Sequence, residues 1–162
     1  MELFLKQKLI SIGDKYKFTD KSEKVVFEGK KSPLSLTKIF LNDPSGKELF
    51  MVKKKLIRIL PKYWIMKDGQ ELITIQGKFS IRPKFEVSDV EGNTYAITGD
   101  FLSFDFNISK NGKFVGSIKK KLFSFGDAYY LNIDDSFDPA LFCAFALVID
   151  NCQHNENKNR HH

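Results

Sequence analysis

Ala140-Leu-Phe-Cys-Ala-Phe-Ala-Leu-Val-Ile149 is an unbroken run of ten apolar residues. A segment that is apolar on every face must be wrapped on every face, by protein or by lipid. Ten residues are too few to span a bilayer, which takes about 20. Nearly everything before residue 139 reads as short β-strands, so the run is expected to be one helix threaded through a closed sheet. Asp138 is a natural N-cap, and Pro139 falls at the first helical position, where its missing N–H costs nothing. Asp150-Asn151 marks the expected end. A helix over about 139–151 is about 20 Å long, close to the length of a six-residue strand.

The strands announce themselves by repetition. Gly46-Lys-Glu-Leu-Phe-Met-Val-Lys-Lys-Lys-Leu56 resembles both Gly69-Gln-Glu-Leu-Ile-Thr-Ile-Gln-Gly-Lys-Phe79 and Gly112-Lys-Phe-Val-Gly-Ser-Ile-Lys-Lys-Lys-Leu122. Glycines 46, 69, 92 and 112 are spaced 23, 23 and 20 apart, each behind a short strand and ahead of another. Strand, glycine turn, strand is a β-hairpin, and the Asp-Gly and Asn-Gly pairs at 68–69 and 111–112 favour type I′ turns. Tyr16-Lys-Phe18 is expected to pair with Val25-Val-Phe27 across Asp20-Lys-Ser-Glu23. Strict alternation in Phe104-Asp-Phe-Asn-Ile108 supports strand over helix. Counting segments between turns gives about ten to twelve antiparallel strands, which in one domain must close to hide their edges, so the expected architecture is a mainly β barrel around a central helix. Residues 1–152 form that single domain; 153–162, polar and rich in Asn, are expected to be a frayed tail ending in His161-His162.

Composition sets bounds on the chemistry. The formal charge is +6, with 26 Lys+Arg against 20 Asp+Glu, which favours anionic partners and is also ordinary for a globular protein. The two cysteines, Cys143 and Cys152, are too far apart along a helix to bridge, and the N-terminus lacks a secretory h-region; a cytoplasmic protein is expected. All three histidines, His154, His161 and His162, lie in the tail. No Ser-His or Cys-His nucleophile pair can then form inside the barrel, and two cysteines alone make no structural zinc site. Cys143 reads as a small core residue. No enzyme activity and no cofactor are expected.

Three lysine clusters stand out: Lys30-Lys31, Lys53-Lys54-Lys55 and Lys119-Lys120-Lys121. Alternate residues of a strand share a face, so Lys53 with Lys55 and Lys119 with Lys121 are candidates for an outward-facing anionic-lipid surface; guarding strand edges against aggregation is the plainer role. Nucleic acid is not expected, since the aromatics follow the core pattern and leave no exposed stacking platform beyond Trp64.

Several stretches resemble the LURP-one-related family, which is itself similar to the tubby C-terminal domain and the phospholipid scramblases. They are Trp64-Ile-Met-Lys-Asp-Gly69, Phe79-Ser-Ile-Arg-Pro-Lys-Phe-Glu-Val87, Tyr95-Ala-Ile-Thr-Gly-Asp-Phe-Leu-Ser-Phe-Asp-Phe-Asn-Ile108, Gly116-Ser-Ile-Lys-Lys-Lys121, and Asp138-Pro-Ala-Leu141 through Val148-Ile-Asp150. The resemblance implies a twelve-stranded antiparallel barrel around a C-terminal helix. It also implies a link to phospholipids, and by position with scramblases it makes Asp127, Asp134, Asp135 and Asp138 a candidate calcium group. Their spacing does not fit an EF-hand, and Asp138 as a helix cap with Asp134 and Asp135 near the positive end of the helix dipole is the plainer account. The leading expectation is a cytoplasmic, non-enzymatic tubby-like domain that binds anionic phospholipid headgroups, peripheral to the inner membrane face, or a protein partner. A calcium-responsive, scramblase-like lipid-handling activity and a purely structural scaffold are the alternatives.

Overall fold

The computed structural model describes residues 1–7, 15–56, 59–78, 84–123 and 126–160, the last eight of them and 7, 122, 123, 126 and 127 by their backbone only. Twelve strands follow one another: β1 (Glu2–Gln7), β2 (Lys15–Thr19), β3 (Val25–Lys31), β4 (Lys38–Asn42), β5 (Glu48–Lys54), β6 (Lys62–Lys67), β7 (Gln70–Lys78), β8 (Lys84–Asp89), β9 (Thr94–Asp100), β10 (Asp105–Lys110), β11 (Lys113–Phe123) and β12 (Gly126–Ile133). A single helix, α1 (Pro139–Arg160), ends the chain. Each strand pairs antiparallel with its sequence neighbours, and β12 closes the ring on β1, with Leu3 opposite Leu131. Closure removes both edges of the sheet.

Alternation decides which side chains point inward. In β4, Ile39 and Leu41 are buried while Lys38, Phe40 and Asn42 are half-buried on the outside; in β6, Tyr63 and Ile65 are buried between Lys62, Trp64 and Met66. The helix fills what these side chains enclose. Phe142, Cys143, Ala144, Phe145, Leu147, Val148 and Ile149 are all 0% exposed. Asp138 caps it through Oδ1, which accepts from the N–H of Ala140 at 2.9 Å and of Leu141 at 3.4 Å. Glycine lets the wall approach the helix: a Cβ on Gly116 would lie 2.4 Å from a ring carbon of Phe142. Burial pushes the Cys143 thiol well above its ordinary pKa, as suits an inert core residue.

The helix does not stop at Asp150-Asn151. It runs for 22 residues, about 33 Å at 1.5 Å per residue, and so projects past the barrel. No glycine or proline lies between residues 151 and 160 to end it. The expectation of a frayed tail from 153 is corrected to helical backbone as far as Arg160; His161 and His162 lie outside the described residues.

The two ends of the barrel differ in kind. Connections β2–β3, β4–β5, β6–β7, β8–β9 and β10–β11 lie at the end where the helix enters, and are tight and mostly polar, Val90 in the β8–β9 turn being an exposed aliphatic exception. At 68–69 and 111–112 both turn residues have positive φ (Asp68 50°, Gly69 76°, Asn111 49°, Gly112 80°), the type I′ geometry. At 43–47 and 89–93 the leading aspartate Oδ1 accepts two backbone N–H groups, and Gly46 or Gly92 turns left-handed. Asp20 does the same for Ser22 and Lys24, but here Glu23 holds the left-handed position at φ 63°. A non-glycine residue there is strained by about 1–2 kcal/mol, and the solvent-screened Lys6–Glu23 ion pair offsets little of it. Glu23→Gly is therefore expected to raise the stability by about 0.5–1 kcal/mol in urea unfolding. A less stable variant would show the ion pair to outweigh the strain.

Candidate functional site

The outer wall formed by β3, β4, β5 and β6 stands apart in its chemistry. Register sets Lys38 opposite Lys53 and Lys53 opposite Trp64, making one row across three strands. A parallel row runs Phe40, Met51, Met66. Lys30 lies opposite Phe40 on one side and Lys15 on the other. Trp64, the chain's single tryptophan, carries Lys62 Nζ 5.2 Å and Lys53 Nζ 5.8 Å from its ring centre. Like charges directly opposite on a sheet repel, so the Lys15–Lys30 and Lys38–Lys53 pairs cost stability rather than supply it. Among the described residues no carboxylate pairs with Lys30, Lys38, Lys53 or Lys62. The chain explains why: β4 and β6 contain no Asp or Glu, and the one acid each of β3 and β5, Glu28 and Glu48, lies opposite Asn42 at the other end of β4 from Lys38.

Elsewhere on the barrel several lysines do have acidic partners, although like-charge pairs such as Lys78 opposite Lys84 and Lys110 opposite Lys113 occur there too. Lys119 pairs with Asp105 at 3.5 Å, Lys6 with Glu23 at 2.8 Å, and Lys21 with Glu2. Lys121 Nζ sits 4.2 Å over the Tyr130 ring. The Tyr130 hydroxyl donates to Glu2, which with burial pushes its pKa up to about 12; Glu2 is held below the usual carboxylate range by Lys21 and Tyr130.

Of the four lysines singled out in the sequence, Lys53 belongs to the β3–β6 wall and Lys55 is exposed just past the end of β5, its N–H donating to Lys62 O at 2.9 Å. Lys119 and Lys121 also face outward, but from β11. In the ring of twelve, β11 is six strands from β5 in either direction, so the two pairs stand on opposite walls and form no common surface. No basic run marks Lys38 or Lys62, each of which is a lone lysine in the sequence. Only pairing of β4, β5 and β6 assembles them with Lys53, although the absence of acids over 49–67 was a visible signal.

The aspartates do separate tasks. Asp134 Oδ1 accepts from the Ser136 N–H at 2.9 Å and from its hydroxyl, and these bonds lower its pKa. Asp135 meets the Met1 ammonium at 3.0 Å, and Asp138 caps α1. The side chain of Asp127 lies outside the described residues. Among those described, no three acidic, Cys or His side chains gather as a metal would need.

These observations define a closed, twelve-stranded antiparallel barrel, tubby-like in fold, with a helical core and a basic wall on β3–β6. The chain belongs to the LURP-one-related family, whose model matches residues 1–150. It is 32% identical over 158 residues to the uncharacterized protein YxjI of Bacillus subtilis (strain 168), covering 96% of each chain. It is also similar to the X-ray structure of an Arabidopsis thaliana protein, with a TM-score of 0.65 and 14% identity over 93% of this chain and 91% of that one; that likeness speaks to the fold alone. Among the described residues no helix is long and apolar enough to cross a membrane.

Proposed function

We propose that this domain is a non-enzymatic module that docks on anionic phospholipid headgroups through the β3–β6 wall, at the cytoplasmic face of a membrane. The carrying observation is that Lys30, Lys38, Lys53 and Lys62 share one outer surface without a carboxylate partner among the described residues. Each cation near an anionic leaflet contributes about 1 kcal/mol, so four on one face suffice for reversible attachment. Trp64 among them has the amphipathic ring that settles at headgroup depth. Inside the barrel the apolar side chains of α1 are buried, which points to the outer surface as the place of contact.

Flotation with vesicles tests this. Phosphatidylcholine vesicles containing phosphatidylserine should carry the protein at about 0.05 M salt and release it near 0.5 M, where the screening length falls to a few ångströms. Pure phosphatidylcholine should not carry it. No retention by anionic vesicles at low salt would defeat the reading.

A further inference from the structure

We infer that the domain enters the bilayer with one sector of its rim, the β3–β4 loop and Ile59 just ahead of β6, placing Leu34, Leu36 and Ile59 in the hydrocarbon margin. This rests on the headgroup docking proposed above and fixes its orientation and depth.

The connections β3–β4, β5–β6 and β9–β10 all lie at the end opposite the polar turns, because the strands alternate in direction. Here the side chains change character. Leu34 is 95%, Leu36 96% and Ile59 91% exposed, values far beyond an ordinary surface leucine. The β3–β4 loop is not loose: Ser32 N–H donates to Lys38 O at 3.0 Å, the Ser35 and Thr37 hydroxyls are 2.8 Å apart, and Lys54 N–H donates to Thr37 O at 2.8 Å. The loop's own hydroxyls and backbone are thus bonded inward or to the next strand, while its leucines are presented to solvent.

Charge complementarity names the occupant. Directly up the wall from these tips stand Lys30, Lys38, Lys53 and Lys62, with Trp64 between two of them. Aliphatic tip, then cations, then an indole is the order in which an anionic bilayer presents hydrocarbon, phosphate and interface. The helix leaves through the same end, and its last residues, Gln153–Arg160, are polar in sequence, so the barrel must tilt onto its β3–β6 side. Leu102, 84% exposed on the β9–β10 loop, then stays clear of the membrane.

The test uses the full chain and vesicles of phosphatidylcholine with about 20% phosphatidylserine, an anionic surface of physiological kind. Cys143 and Cys152 are buried, so a thiol-reactive environment-sensitive dye will report from Leu36→Cys or, at the opposite end, Ser45→Cys. The dye at 36 should shift blue on binding and be quenched by brominated acyl chains; the dye at 45 should do neither. Leu34→Ala/Leu36→Ala/Ile59→Ala should weaken binding tenfold or more, since each buried leucine or isoleucine is worth roughly a factor of ten, while Leu102→Ala leaves it unchanged. Intact binding of the triple variant with a silent dye at 36 would overturn insertion and leave headgroup docking standing. Equal loss from Leu102→Ala would overturn the tilt, and a solution dimer that the triple variant dissociates would assign the tips to a second copy instead. Failure of the unmodified chain to bind anionic vesicles would end both readings.

Discussion

Phe145→Ala is expected to lower the stability of this barrel by about 3–5 kcal/mol. Phe145 is 0% exposed and its ring lies 5.4 Å from that of Tyr95 across the core, so truncation removes apolar burial and leaves a void that a closed ring of strands cannot collapse to fill. A domain of this length holds about 5–15 kcal/mol in total, so the loss is a large share of it. At about 2–4 °C per kcal/mol, the melting temperature should fall by roughly 10 °C. Leu102→Ala, at an exposed rim position, should move it by no more than about 0.5 kcal/mol. Similar denaturation curves for the two variants would mean that α1 is not the core on which the strands condense.

The second large effect concerns the wall. Lys38→Ala/Lys53→Ala/Lys62→Ala removes three cations worth about 1 kcal/mol each at an anionic leaflet, a total of about 3 kcal/mol or more than a hundredfold in affinity. The change does not act through unfolding. It relieves the repulsion between Lys38 and Lys53, and the contacts of Lys53 and Lys62 with Trp64 that it forfeits are worth only about 0.5–1 kcal/mol at exposed sites. The melting temperature should therefore stay within a few degrees of the parent's while binding collapses.

Much of the fold was legible because its signals are local. Residues 140–149 are apolar on every face, Asp138-Pro139 starts a helix, and Asp68-Gly69 and Asn111-Gly112 need the left-handed backbone that two-residue hairpins use. The fourth turn position at Glu23 was harder to read, since no glycine marks it and only the Asp20 carboxylate betrays the shared geometry. The helix end was misplaced because asparagine was read as a stop, whereas nothing in 151–160 forbids helical backbone. The site was less legible for a geometric reason. Which lysines share a surface depends on strand register and on position around the ring, and neither shows in a one-dimensional pattern: Lys53 and Lys119 occupy equivalent places in the repeat yet face opposite directions. The polarity of the barrel ends, with aspartate-glycine turns at one and aliphatic loops at the other, becomes visible only once alternate connections are assigned to alternate ends.

The most direct test sets two walls side by side: the affinity of Lys38→Ala/Lys53→Ala/Lys62→Ala and of Lys119→Ala/Lys121→Ala for phosphatidylserine-containing vesicles at low salt. The predicted result is a loss of about a hundredfold for the first, with the second within about twofold of the parent. Equal losses from both, or none from the first, would contradict a single docking wall on β3–β6.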